Sequence, residues 1–248
     1  MGAHPDGYAP PCPEESQGGG TAETQQQSPA EKDPGTEAES HRSGRCEARP
    51  QSRPYMACLK IQRGASYIHC GGFLVSENFV LTAAHCQGDN ITVILGAHNV
   101  WKWEPSQQRI RVRRQIPHPQ YNSKTLKNDI MLLELEKPAK LNGDVKIIPL
   151  PRMGECVKPG MVLQEVDVEV VVDNKCLVYD YYDRATMLCA EHPQQWEDIV
   201  PGDSGGPLVC DGKAQGIASR GSRPGKIPGT YTRVSAFIGW IHKEMGQL

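Results

Sequence analysis

From residue 53 onward the chain is a succession of short apolar runs separated by turn residues. Runs of this length, in a sequence with 25 glycines and 20 prolines, favour short antiparallel strands over long helices. The runs fall into two series, 55–61, 72–75, 80–84, 91–95, 109–116 and 130–135, then 163–172, 187–190, 207–209, 215–219 and 229–234. Only residues 235–245 have helical spacing. The pattern predicts an all-β domain, a barrel or a sandwich, that ends in an amphipathic helix.

The first fifty residues have a different composition. They are rich in Glu, Gln, Pro, Gly and Ser and contain almost no large aliphatic side chain. Such a segment buries too little apolar surface to offset an ordering entropy of roughly 1–2 kcal/mol per residue. We therefore predict a disordered tail over residues 1–50 and a folded domain over residues 51–248.

The nine cysteines favour disulfides and a secretory route, and their odd number leaves at least one without a partner in the chain. No CxxC pair or zinc-module spacing occurs, so the cysteines predict no zinc module. The formal net charge of −2 gives no general attraction to nucleic acid or membrane. No signal peptide is visible at the start, and no apolar run is long enough to predict a transmembrane helix.

Ser204 is the first candidate for chemistry, within Gly202-Asp203-Ser204-Gly205-Gly206-Pro207. Glycines permit the tight turn that exposes a nucleophilic hydroxyl. The backbone N–H groups of Gly202 and Ser204 would then form an oxyanion hole. A serine among glycines is, taken alone, more often an ordinary loop residue.

His85 and Asp129 are the other two candidates, in Leu-Thr-Ala-Ala-His-Cys and Asn-Asp-Ile-Met-Leu-Leu. The carboxylate could orient the imidazole and stabilise its cation. Taken singly, each has a simpler interpretation, a core histidine and a turn-capping aspartate. The order His, Asp, Ser is the chymotrypsin order, which differs from that of subtilisins and α/β-hydrolases.

These motifs, with Gly-Asp-Ser-Gly-Gly-Pro-Leu-Val-Cys, resemble the chymotrypsin-like serine proteases from about residue 46 to the end. Ser-Arg-Pro-Tyr-Met-Ala, Leu-Gly-Ala-His-Asn and Ile-Pro-His-Pro-Gln-Tyr-Asn are most similar to the granzyme and mast-cell chymase branch. The resemblance implies two six-stranded antiparallel β-barrels with His85, Asp129 and Ser204 in the cleft between them. It also implies a monomeric serine endopeptidase that hydrolyses protein or peptide substrates through an acyl-enzyme, without a cofactor.

The resemblance also implies disulfides and a location. Cys70 would pair with Cys86, and Cys176 with Cys189. Family members of this kind are extracellular or stored in secretory granules.

The substrate pocket follows from the same resemblance. Asp198 takes the position of the pocket floor, and Ser219, Gly221 and Gly229 take positions around it. A carboxylate at the floor favours Lys or Arg substrates. Arg220, where the family usually has an apolar residue, could instead pair with Asp198 and fill the pocket. A third interpretation makes Asp198 a solvated loop charge.

Two departures from the family pattern support an alternative function, a catalytically inactive protease-like protein. In the family, cleavage frees an apolar N-terminus that pairs with the aspartate before the catalytic serine, here Asp203. In this chain the corresponding positions, 42–45, are Arg-Ser-Gly-Arg and therefore not apolar. Compared with the family, this chain also lacks about eighteen residues between positions 162 and 163, and in the family those residues supply a strand of the second barrel. That strand would carry the partner of Cys210, and Cys156 is a candidate substitute.

Two surface motifs remain. Asn90-Ile91-Thr92 is an N-glycosylation sequon, usable only in the secretory pathway. Basic and apolar residues alternate over most of residues 109–114, which is typical of a strand with one charged face. This charged face is either simply solvated or makes a weak contact with a polyanion.

Overall fold

The computed structural model describes residues 53–100, 102–157, 162–163, 168–191, 204–221 and 228–246. The predicted tail at 1–50 lies outside the described residues, as do Asp198, Gly202 and Asp203.

The first half of the domain is a closed six-stranded antiparallel barrel with the order β1-β2-β3-β6-β5-β4. Its strands are β1 (Met56–Arg63), β2 (Ser66–Ser76), β3 (Phe79–Thr82), β4 (Asn90–Leu95), β5 (Gln108–Pro117) and β6 (Met131–Leu135). Phe73, Leu59, Leu81 and Leu133 are fully buried inside it. Closure leaves no free strand edge. All six strands coincide with apolar runs of the sequence.

The second half is a six-stranded antiparallel sheet with the order β10-β11-β12-β9-β8-β7. Its strands are β7 (Val162–Leu163), β8 (Val168–Val170), β9 (Met187–Glu191), β10 (Pro207–Cys210), β11 (Lys213–Arg220) and β12 (Gly229–Arg233). Two barrel-like sheets followed by a helix confirm the predicted fold class.

The expected shortage of a strand takes another form. The second sheet has six strands, but β7 has only two residues, paired with Glu169 and Val168 of β8. Among the described residues, the hydrogen-bonded order runs from β10 to β7 with no ladder between these two end strands, although they contact each other. The run predicted at 163–172 therefore corresponds to the end of β7 and to β8.

The C-terminal helix connects the two halves. A 3-10 turn at Val234–Ala236 precedes α1 (Ile238–Glu244), so the regular helix begins later than the sequence pattern indicates. Phe237 and Ile241 are buried in one core with Leu81 and Leu133 of the first barrel and Ile217 of β11. Shared burial of this kind fixes the second sheet against the first. No helix in the described part of the chain is long and apolar enough to span a membrane.

The described cysteines include two complete disulfides. Cys70 is bonded to Cys86 with a Cα–Cα distance of 6.2 Å, and Cys176 to Cys189 with 5.9 Å. These are the two pairings that the resemblance implies.

Cys210 is a buried free thiol, and burial, as the main cause, raises its pKa. The suggestion that Cys156 replaces its lost partner is wrong, because the Cys156 sulfur is already committed to another disulfide.

Candidate active site

The His85 and Asp129 side chains are in direct contact. His85 Nδ1 lies 2.7 Å from Asp129 Oδ2, and the His85 backbone N–H donates to Asp129 Oδ1 at 2.8 Å. The two residues lie at the ends of neighbouring strands, because Thr82 of β3 pairs with Met131 of β6. A contact through both oxygens fixes the orientation of the imidazole.

Local structure at each residue explains that contact. His85 lies on a one-turn 3-10 helix after β3, which the Cys70–Cys86 disulfide ties to β2. Asn128, immediately before Asp129, has a φ of 55°, a left-handed conformation that asparagine tolerates better than most residues. The chain thus turns sharply and directs the carboxylate inward before β6 begins.

Asp129 is fully buried, so its polar atoms need donors from the protein. Ser219 Oγ donates to Oδ2 at 2.6 Å, and Thr232 Oγ1 donates to the Asp129 backbone carbonyl at 2.8 Å. Both donors come from the second sheet, while Asp129 belongs to the first barrel. The buried carboxylate therefore joins the two halves at the cleft.

A β-bulge explains why Ser219 reaches Asp129. The register between β11 and β12 shifts between Ala218 and Arg220, so Ser219 is the extra residue. A bulge re-aims the side chain it carries. The sequence suggested Ser219 for the substrate pocket and missed its bond to the carboxylate, since no local motif announces a bulge.

Ser204 lies on the turn before β10, against the strand end that carries His85. Its backbone carbonyl accepts a 2.8 Å hydrogen bond from Gly71 N. The next residue, Gly205, has a φ of 84°, and a Cβ there would lie 2.2 Å from Thr82 Oγ1. Only glycine permits this approach. Between the described side chains of Ser204 and His85, no hydrogen bond is present.

Arg63 supports the histidine turn from outside. Its Nη2 donates to the His85 carbonyl at 2.5 Å and its Nε to the Gln87 carbonyl at 2.8 Å. Sequence reasoning missed Arg63, which ends β1 and belongs to none of the motifs.

Two titratable side chains near the cleft are strongly shifted. Burial, reinforced by the nearby Asp129 charge, raises the pKa of Tyr121 to about 12. Burial lowers the pKa of His118 to about 4. The His118 ring lies edge-on to Phe237 and Trp240, each with a centroid distance of 5.2 Å. Both side chains are held in their neutral forms.

The described pocket residues lie at the end of β11 and the start of β12. Gly221 follows β11 directly, and Gly229 opens β12 opposite Ala190 of β9. The Arg220 guanidinium lies over the Tyr179 ring at 5.1 Å from its centroid. The proposed Arg220–Asp198 pair cannot be described, because Asp198 lies outside the described residues.

One cluster has metal-ligand composition. Donor atoms of Cys70, His85 and Cys86 lie within 4.8 Å of one another. The two sulfurs are bonded to each other, so neither is available as a thiolate.

The basic run forms the outer face of β5. Arg109, Arg111, Arg113 and Arg114 are exposed there. Glu134 pairs with Arg114 at 2.9 Å and with Arg113 at 3.5 Å. A groove of about 530 Å³ beside this face also includes Lys60 and Asn90, the residue of the sequon. A polyanion contact at this face stays a prediction.

Comparisons with known proteins agree with this architecture. The Trypsin family profile matches residues 43–241. Mast cell protease 3 from Ovis aries is 51% identical over 221 residues, covering 81% of this chain and 88% of that protein. Granzyme B from Rattus norvegicus is 48% identical over 220 residues, covering 80% of this chain and 89% of that protein.

Among solved structures, one titled "Structure of GrC" is 41% identical, with a TM-score of 0.72, covering 81% of this chain and 97% of that one. The profile match spans most of the chain, and both protein relatives far exceed 30% identity. The chain belongs to the trypsin family of chymotrypsin-like serine endopeptidases, in its granzyme and mast-cell protease branch.

Proposed function

We propose that this chain is a serine endopeptidase with Ser204 as nucleophile, His85 as general base and Asp129 as the group that orients the base. The observation that supports this most is the two-point contact between His85 and the buried Asp129 carboxylate. It leaves His85 Nε2 as the ring nitrogen available to a hydroxyl. The packing of Gly205 against Thr82 brings the Ser204 turn to the same strand end.

The reaction proceeds in two acyl-transfer steps. Ser204 Oγ attacks the scissile carbonyl as its proton passes to His85 Nε2, and the protonated His85 then donates that proton to the leaving amine. Asp129 stabilises the imidazolium while it exists. The backbone N–H groups of Gly202 and Ser204 hold the oxyanion, and Asp203 shapes that loop. A water molecule then releases the acyl group by the same proton transfers in reverse.

The primary substrate preference is for Lys or Arg, with Asp198 as the floor of the pocket. Gly221 and Gly229 carry no side chain that would narrow it.

We place the protease outside the cell or in a secretory granule, where it acts on protein substrates as a monomer. The two disulfides between described cysteines support an oxidising compartment, since reducing compartments keep such thiols free.

Hydrolysis of internally quenched peptides tests the proposal. Peptides with Lys, Arg, Phe or Asp before the cleaved bond are compared on the wild type, Ser204→Ala, His85→Ala and Asp129→Asn. We expect Lys and Arg peptides to be cleaved, and Asp129→Asn to lower kcat by roughly 10⁴-fold. Asp198→Asn should remove the Lys/Arg preference but leave the triad competent.

The inactive alternative makes the opposite prediction. The two-residue length of β7, at the end of the second sheet, is the observation that favours it. A folded chain that cleaves none of the four peptides supports the alternative, as does a rate unchanged in Ser204→Ala.

A further inference from the structure

Among the described residues, no strand pairs with the end of β11 on the side of the Ser204 turn. The ladder between β10 and β11 begins at Pro207 and Ile217. Beyond it, Gly205 N donates to the Ala218 carbonyl at 2.8 Å, and Ala218 N donates to the Gly206 carbonyl at 3.0 Å. No further backbone bond on that side involves Ser219 or Arg220 among the described residues. An extended peptide can therefore add to this edge, next to Ser204.

Arg220 is the last residue of β11, directly after the serine that binds Asp129. It is half-buried, and the described residues include no carboxylate paired with it. In the described part of the chain, its guanidinium contacts the face of the Tyr179 ring. A cation–π contact of this kind uses the charge of the guanidinium and does not consume its N–H donors.

The ring under Arg220 is itself held in place. Tyr179 follows the 3-10 helix Asp173–Val178, and its hydroxyl donates to the Pro228 carbonyl at 2.8 Å. The Cys176–Cys189 disulfide ties that helix to β9. A guanidinium on a fixed platform loses less side-chain freedom when it binds a ligand.

We propose that Arg220 is a specificity-determining residue that recognises an acidic side chain of the peptide substrate beside the end of β11. A residue opposite Arg220 on an added strand would have its Cβ about 5 Å away, within reach of a guanidinium. The planar N–H rim matches a carboxylate in bidentate fashion. The inference rests on the proposed peptidase function.

The test places a single Asp at each position of a cleaved neutral peptide, on both sides of the cleaved bond, with Asn as the uncharged isostere. At one position the wild type should prefer Asp over Asn by about fivefold in kcat/KM, mostly through KM. Arg220→Gln should bring that ratio to about one, and a wild-type midpoint of urea unfolding would report that the variant is correctly folded. Arg220→Lys should retain part of the preference.

Three further variants distinguish the effect of the Tyr179 ring from that of positive charge elsewhere on the surface. Tyr179→Phe keeps the ring but removes its bond to Pro228 and should keep most of the preference, whereas Tyr179→Leu removes the ring and should weaken the preference more. Arg111→Gln removes one exposed positive charge from the outer face of β5 and should change nothing. Raising the salt concentration should reduce the Asp preference of the wild type, because partly exposed charges are screened.

A binding measurement tests the acidic subsite independently of peptide cleavage. The affinities of the Asp and Asn peptides for Ser204→Ala, by fluorescence anisotropy, need no turnover. If no peptide is cleaved yet the Asp peptide binds about fivefold tighter in an Arg220-dependent manner, the peptidase proposal fails and the acidic subsite stands. If neither cleavage nor binding favours Asp at any position, or the preference survives Arg220→Gln, the acidic subsite is overturned.

Discussion

At the scale of single residues, the site depends on a few backbone conformations that most side chains would not tolerate. Asn128 directs Asp129 inward from a φ of 55°, and Gly205 brings the Ser204 turn against Thr82 from a φ of 84°. A Cβ on Gly205 would meet Thr82 Oγ1 at 2.2 Å and the Gly71 carbonyl at 2.6 Å. Neither contact can be relieved without moving the strands that carry the histidine turn.

Gly205→Ala should therefore lower the free energy of unfolding by more than about 3 kcal/mol, since strain and steric overlap add. Gly212→Ala is the matched control. Gly212 has a φ of 69° and an added Cβ there would have nothing within 4 Å, so the substitution should cost only about 1 kcal/mol. Urea unfolding of both variants gives the comparison, and equal losses would contradict the packing described here.

At the scale of elements, the segment before β7 is tied to the second sheet through one carboxylate. Glu155 accepts from Lys213 Nζ at 2.9 and 3.0 Å and from Gln215 Nε2 at 2.8 Å. The hydrogen bond from Lys213 is the main cause that lowers the Glu155 pKa to about 2. This contact holds residues near the shortened β7 against β11.

Glu155→Gln should lower the free energy of unfolding by about 1–2 kcal/mol at pH 7. Glu134→Gln, whose Arg113 and Arg114 partners are exposed, should cost under about 0.5 kcal/mol. The folded-state pKa of Glu155 is depressed, so its contribution is present above pH 4.5 and lost as the pH falls towards 2. Unfolding curves for both variants at several pH values would contradict this if the Glu155 effect did not shrink below pH 4.5.

The elements were largely predictable from the sequence, whereas several site contacts were not. Short apolar runs marked all six strands of the first barrel, because each strand buries apolar side chains in the core. The Ser219 bulge, the Arg63 hydrogen bonds and the contact of Arg220 with the Tyr179 ring depend on residues distant in the chain. No local spacing encodes them. The 3-10 turn at Val234–Ala236 was likewise missed, because helical spacing alone does not distinguish it from an α-helix.

At the scale of the whole molecule, one core joins the two halves, and His118 lies within it. The residue is 8% exposed, against Phe237 and Trp240 of the C-terminal segment. Its pKa falls from 6.5 to about 4 on folding, because burial disfavours the charged ring. Between about pH 4 and pH 6.5, His118 is therefore protonated in the unfolded chain but neutral in the folded one.

Stability should therefore fall as the pH is lowered from about 6.5 towards 4, by roughly 3 kcal/mol from this group alone. His118→Gln removes that titration and should flatten this part of the pH profile. Urea unfolding at pH 7 and pH 4.5 measures both proteins. If the free energy of unfolding changed equally between these two pH values in the wild type and the variant, His118 would not be held neutral.

Catalysis requires Ser204, His85 and Asp129 to act as one unit in the cleft. The most direct measurement treats the folded chain with a fluorophosphonate and locates the adduct by mass spectrometry, in the wild type and in His85→Ala. We expect a single adduct on Ser204 that is lost in His85→Ala. A folded wild type that stays unlabelled, or labelling that is indifferent to His85, would contradict the assignment.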